Sequence, residues 1–112
     1  MLVEASGSEE LPRLLVVEDD DELRSMFGTI FAQHYRVTLA ADGTEGLRLA
    51  REEQPDLIVS DVLMPGMSGT ELCAAVKREF GTCHIPVILL TALSSPEQRI
   101  TGLESGADDY VS

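Results

Sequence analysis

Acidic and hydroxyl side chains follow three short apolar runs of the sequence. Glu18, Asp19 and Asp20 come directly after RLLVV, Asp61 ends LIVSD, and Thr91 ends PVILLT. Carboxylates gathered at one place repel one another, so they must either protonate or bind a counter-cation. A few hard oxygen ligands with room for water suit Mg²⁺ better than Zn²⁺ or Ca²⁺. These residues therefore predict a magnesium site if the fold brings the three runs together.

A carboxylate beside such an ion can accept a phosphoryl group. Asp61 would be the nucleophile and would form an acyl phosphate. The Thr91 hydroxyl would donate a hydrogen bond to an oxygen of the transferring group. Taken singly, Asp19 is also a common helix cap and Thr91 a common strand-end residue. Only their coincidence at neighbouring strand ends favours phosphoryl transfer.

Alternating strands and helices must position these residues. Apolar, β-branched runs predict strands at residues 13–18, 35–40, 56–61, 86–91 and 107–111. Strands separated by helices indicate βαβ units and a parallel sheet. In such a doubly wound α/β fold, the loops after strands one, three and four open on the same edge.

Four helices are predicted between the strands. The first carries apolar residues at i, i+3, i+4, i+7 and i+8 from Leu23 to Phe31, and the second covers residues 44–53. Ser68 caps the third, which is expected to bury Leu72, Cys73, Ala75 and Val76. Ser94 or Ser95 caps the fourth.

Composition limits the classes of function. The chain has 8 Lys plus Arg against 20 Asp plus Glu, a net charge of -12, which argues against direct nucleic-acid binding. No apolar run approaches the roughly 18 residues of a membrane span, and residues 1–12 lack the features of a signal peptide. Two cysteines without a CxxC spacing indicate neither a zinc site nor a disulfide framework. We therefore expect a cytoplasmic protein with one domain at residues 13–112, preceded by a linker or leader at residues 1–12.

Four ordered motifs make the chain resemble the receiver domain of two-component response regulators. They are LLVVEDD at 14–20, PDLIVSDVLMPGMSG at 55–69, PVILLTA at 86–92 and GADDYVS at 106–112. The resemblance implies a flavodoxin-like, five-stranded parallel sheet in the order 2-1-3-4-5. It also implies a phosphorelay switch that takes a phosphoryl group from phosphohistidine and changes partner binding. Such a domain catalyses only its own phosphorylation and dephosphorylation, unless it belongs to a hybrid histidine kinase.

The resemblance also implies roles for single residues at the metal site. Asp61 looks like the phosphoacceptor. Asp19 looks like a direct Mg²⁺ ligand and Glu18 like a ligand acting through water. Leu63 would supply a backbone carbonyl to the ion.

The C-terminal part carries the implied switch and one departure from the family pattern. Thr91 looks like the switch hydroxyl and Tyr110 like the switch aromatic. The family pattern continues with a Lys-Pro pair and a last helix, whereas this sequence ends at Ser112, one position before that Lys. Without them we expect weaker phosphorylation or switching. Exposed apolar sheet would also favour a dimer, domain swapping or poor stability, with the face of the fourth helix as a second dimer surface.

The implied partners are a histidine kinase or phosphotransfer protein and an output domain beyond Ser112, with no direct contact to nucleic acid or membrane. Residues 83–92 and 102–110 are similar to receivers inside hybrid sensor kinases, and a stand-alone or DNA-binding regulator is the equal alternative.

A phosphatase of the haloacid dehalogenase type also uses Asp and Mg²⁺, but it normally has a second acid where this chain has Leu63. A phosphate-independent interaction module would be expected to have lost the acids or Thr91. A flavodoxin is least favoured, because an acidic first loop does not suit a phosphate.

Overall fold

The computed structural model describes residues 11–90 and 106–111, with Tyr110 described in its backbone only. Strands and helices alternate along this part of the chain. They are β1 (Arg13–Val17), α1 (Asp21–Phe31), β2 (Arg36–Ala40), α2 (Gly43–Glu53), β3 (Leu57–Asp61), α3 (Gly69–Arg78), β4 (Val87–Leu90) and β5 (Asp109–Val111). The predicted fourth helix lies outside the described residues. The other predicted bounds differ from these by one or two residues, as strand and helix ends commonly do.

The five strands form one parallel sheet in the order β2-β1-β3-β4-β5. This order confirms the predicted flavodoxin-like fold. At the carboxyl edge of the sheet, Val17 pairs with Ala40 on one side and with Ser60 on the other. Asp61 pairs with Leu90. The register therefore brings the residues after β1 beside the last residue of β3.

Side chains cover the sheet on both faces. On one face α2 and α3 pack over Leu15, Val17 and Ile58, and the predicted burial of α3 is confirmed, since Leu72, Cys73, Ala75 and Val76 all lie in this core. On the other face Leu14, Val16 and Val59 are buried, with Phe27 and Phe31 of α1 packed against them. Leu and Val side chains at alternate positions of β1 therefore serve opposite faces, which explains why the run is apolar throughout.

The apolar stripe of α1 is wider than the surface that covers it. The amphipathic helix is present as predicted, but α1 has no fully buried residue. Leu23, Met26 and Ile30 are 40%, 49% and 50% exposed. Phe27 and Phe31 point to the sheet and contact each other, with ring centroids 6.0 Å apart. Within the described residues, the rest of the stripe faces outward.

At the amino-terminal edge of the sheet, polar contacts fasten α3 to its neighbours. Lys77 Nζ donates to the Ile85 carbonyl at 2.8 Å and to Asp108 Oδ2 at 2.9 Å. The same Asp108 oxygen accepts from the Val87 backbone N–H at 2.8 Å.

The loop between α3 and β4 exposes Phe80, which is 96% accessible, and the free thiol of Cys83. No helix in the described part of the chain is long and apolar enough to cross a membrane.

Candidate functional site

The end of β1 delivers two acids to the carboxyl edge of the sheet. The Glu18 backbone N–H donates to the Ala40 carbonyl at 3.0 Å, so Glu18 still follows the sheet register. The residue is only 4% exposed, and its Oε2 accepts from the Asp20 N–H at 3.0 Å. Asp19 is exposed. Asp20 caps α1 by accepting from the Leu23 N–H at 2.9 Å, which turns the chain away and leaves Glu18 and Asp19 at the edge.

The end of β3 delivers the third acid. The Val62 N–H donates to the Leu90 carbonyl at 3.0 Å, which keeps the chain in the sheet just past Asp61. The buried Ser60 hydroxyl donates to the Asp61 carbonyl at 2.9 Å. Asp61 is half-buried, and carboxylate oxygens of Glu18, Asp19 and Asp61 all lie within 4.8 Å of one another. The predicted meeting of these three acids is thus present in the structure.

Burial and mutual repulsion disfavour the ionised forms of this cluster. The pKa of Asp61 is raised, first by burial and then by the nearby charge of Asp19, while the backbone N–H groups of Val62 and Leu63 partly offset the increase. The pKa of Glu18 is raised, first by its burial, with further increases from the charges of Asp61 and Asp19. A cation placed among the three carboxylates would relieve both effects.

The loop after Asp61 returns the chain closely against the site. Gly66 takes φ +74°, a conformation that a side chain would strain. Ser68 then forms a capping box with Glu71 and starts α3 as predicted. At the first position of that helix, a Cβ added to Gly69 would collide with the Asp61 carbonyl oxygen. The absence of a side chain at Gly69 therefore lets α3 begin directly behind the acid.

The remaining predicted site residues are only partly placed. Leu63 lies two residues after Asp61 and is 56% exposed. Tyr110 lies in β5, where its backbone pairs with Leu89. Thr91 lies outside the described residues, so the structure brings together the three acids but gives no position for the hydroxyl.

Two residues that the sequence did not single out also belong to the site. Gly69 is one, and its close approach to the Asp61 carbonyl depends on how the loop after β3 returns, which no local sequence pattern predicts. The other is Arg24, whose Nη1 donates to the Glu18 carbonyl at 2.9 Å. An arginine soon after a run of acids is ordinary, so its contact with the backbone could be found only in the structure.

Comparison with known proteins gives a consistent result. The family profile described as the response regulator receiver domain matches residues 14–112. The transcriptional regulatory protein AfsQ1 of Streptomyces coelicolor is 48% identical over 102 residues, which are 90% of this chain and 44% of that protein. Histidine kinase P4 of Formosa agariphila is 46% identical over 103 residues, which are 92% of this chain and 8% of that protein. The chain thus spans less than half the length of either relative.

A solved structure agrees with these relatives. The receiver domain of the sensor histidine kinase PA1611 from Pseudomonas aeruginosa, described with a magnesium ion coordinated in its active site cleft, superposes with a TM-score of 0.81 at 29% identity. The match covers 88% of this chain and 82% of that one. With its strand order, its acidic edge and the matched family profile, the chain belongs to the response regulator receiver domain family.

Proposed function

We propose that this chain is the phosphoacceptor switch of a two-component phosphorelay, with Asp61 as the phosphorylated residue. The observation that carries the proposal is the convergence of Glu18, Asp19 and Asp61 within 4.8 Å at the carboxyl edge of the sheet. Family membership supports it, because a phosphoacceptor role is general among receiver domains. The donor would be a phosphohistidine on a histidine kinase or a phosphotransfer protein.

The reaction needs little covalent chemistry from the protein. A carboxylate oxygen of Asp61 attacks the phosphorus, the bond from phosphorus to the imidazole nitrogen breaks, and its electron pair stays on that nitrogen. Half-burial leaves Asp61 accessible to a donor on one side while the sheet fixes its backbone. The site's own residues therefore have to orient one carboxylate and to hold charge near it.

The donor set fits Mg²⁺, since three carboxylates with an open side supply hard oxygens and leave room for water. Asp19 and Asp61 would hold the ion directly, Glu18 through water, and the Leu63 backbone carbonyl would complete the protein ligands. Bound Mg²⁺ supplies positive charge that stabilises the transferring phosphoryl group. The same charge would favour the ionised form of Asp61, whose pKa burial raises.

The readout of the switch is also a proposal. Phosphorylation adds negative charge and acceptor oxygens, toward which Thr91 would move, and Tyr110 would take the space that it leaves. This movement would change the surface formed by the fourth helix and β5. Residues 13–112 would belong to the receiver domain, whose family pattern continues beyond Ser112, with residues 1–12 as a leader or linker, in a cytoplasmic protein. A hybrid kinase and a regulator with an output domain are both consistent with the relatives.

The test is phosphorylation by acetyl phosphate with Mg²⁺, followed by intact-mass and peptide mass spectrometry. The parent and Glu22→Gln, which removes an acid on α1 outside the cluster, should take up one phosphoryl group at Asp61. Asp61→Asn should not, and EDTA should abolish labelling of the parent. Labelling of Asp61→Asn at the parental level would refute the assignment. A parent that is never labelled but still binds a partner would favour the phosphate-independent module.

A further inference from the structure

Arg24 lies on α1 directly behind the acidic edge. Its Nη1 donates to the backbone carbonyls of Glu18, at 2.9 Å, and of Asp19, at 3.4 Å. Its Nη2 donates to the Asp21 carboxylate at 2.5 Å. The Arg24 side chain is 20% exposed, although long charged side chains are usually in water.

We propose that Arg24 is a positioning residue, which orients the Glu18 and Asp19 carboxylates for a divalent cation. This inference rests on the proposed function of the same site. Arg24 contacts the peptide groups of both residues rather than their carboxylates, so it acts on the direction in which the two side chains leave the backbone. A guanidinium suits this task because its rigid fork of donors can hold several acceptors in one geometry.

Arg24 makes contacts with this loop that its other anchors do not make. The sheet holds Glu18 through its N–H bond to the Ala40 carbonyl, and the helix cap holds Asp20 through the Leu23 N–H. Between these anchors, Arg24 is the described side chain that contacts the carbonyls of both Glu18 and Asp19. Asp21 in turn holds the guanidinium.

Charge and geometry make opposite predictions for the removal of Arg24. Its positive charge repels a divalent cation, so its loss by charge alone would strengthen Mg²⁺ binding. If Arg24 positions the acids, its loss would weaken Mg²⁺ binding, because residues that orient metal ligands typically contribute about 10–100-fold in affinity. The sign of the change therefore separates the two roles.

The experiment is a Mg²⁺ titration followed by NMR amide shifts, with the parent, Arg24→Gln, Arg24→Lys and Arg48→Gln. Arg48 lies on α2, where it pairs with Glu45 and Glu52, so its variant removes the same charge away from the site. We expect Arg24→Gln to raise the Kd about tenfold and Arg48→Gln to leave it near the parental value. The Kd of Arg24→Lys should fall between those of Arg24→Gln and the parent, since an ammonium keeps the charge without the planar fork.

Each result has a defined meaning. If Arg24→Gln binds Mg²⁺ as tightly as the parent, or more tightly, the positioning role is overturned while the proposed function stands. If the parent itself does not bind Mg²⁺, the proposed function fails first. If Arg24→Gln does not fold, Arg24→Lys decides, because a Kd equal to that of the parent would overturn the role. A higher Kd for Arg24→Gln, with amide shifts outside the site unchanged, supports the positioning role.

Discussion

Replacing Gly69 with Ala should disrupt both the fold and the proposed phosphorylation site. The new Cβ would meet the Asp61 carbonyl oxygen, a backbone atom that cannot rotate away. That peptide is fixed on several sides, since Ser60 Oγ bonds the same carbonyl at 2.9 Å and the Val62 N–H bonds the Leu90 carbonyl at 3.0 Å. The helix must therefore move rather than the strand.

The contacts of α3 indicate how much free energy of unfolding its movement would cost. Forcing extra atoms into a packed site costs about 1–3 kcal/mol. A shift of the helix also stretches the bond from the Gly69 N–H to the Val62 carbonyl, now 2.9 Å, and a hydrogen bond contributes about 0.5–1.5 kcal/mol. The better helix propensity of Ala returns less than about 1 kcal/mol at this terminal position. We expect a net loss of about 1–4 kcal/mol, because the buried Leu72 and Val76 oppose a movement of α3.

Urea unfolding followed by circular dichroism would measure this loss. Gly81→Ala is the matched control, because a Cβ there meets open space. Gly28→Ala is a second control, since its Cβ would meet only the flexible Leu39 side chain at 3.2 Å, and helix propensity favours the change by up to about 1 kcal/mol. A Gly69→Ala variant within about 0.5 kcal/mol of the parent, the range of ordinary surface substitutions, would refute the reasoning. So would a loss for Gly81→Ala as large as that for Gly69→Ala.

Three further predictions concern charge. By calorimetry, Mg²⁺ at ten times its Kd should stabilise the parent by about 1.4 kcal/mol, roughly 4–8 °C in Tm, and Asp19→Asn should lose most of this gain. In EDTA at pH 7, Asp61→Asn should melt above the parent, because burial raises the pKa of Asp61 and its ionised form weakens the fold. That difference should vanish as pH falls below the ordinary value of 3.8, where the carboxyl is protonated in both folded and unfolded chains. Asp108→Ala should cost about 1–2 kcal/mol at pH 7, mainly through the Val87 N–H, since solvent screens the half-exposed ion pair with Lys77. Lys77 lowers the pKa of Asp108, so this cost should be complete above 3.8 and should shrink as pH falls through the lowered value, as measured by melting at stepped pH.

Local patterns in the sequence were enough to predict the sheet and the meeting of the acids. Apolar runs define β1 and β3, and parallel strands place their carboxyl ends at one edge, so Glu18, Asp19 and Asp61 had to be neighbours. The sequence likewise predicts Ser68 as the cap of α3, and in the structure Ser68 forms a capping box with Glu71.

Features that depend on distant contacts could not be predicted in the same way. The apolar spacing of α1 does not say how much of its stripe the sheet can cover, and Leu23, Met26 and Ile30 remain about half exposed. The contact of Arg24 with two backbone carbonyls depends on how the loop turns between β1 and α1. Such contacts follow from tertiary geometry, for which one sequence has no periodic signal.

The placement of the two thiols offers a practical means of observation. Cys73 is buried in the core, whereas Cys83 is exposed in the loop before β4. Thiol reagents modify accessible cysteines far more readily than buried ones, so the unmodified sequence already provides one selective attachment point. Because this loop precedes β4 and Asp61 ends the neighbouring parallel β3, a fluorophore or spin label at Cys83 would lie at the opposite edge of the sheet from the acids. It could follow docking of the proposed kinase partner, or dimer formation, without occupying the site.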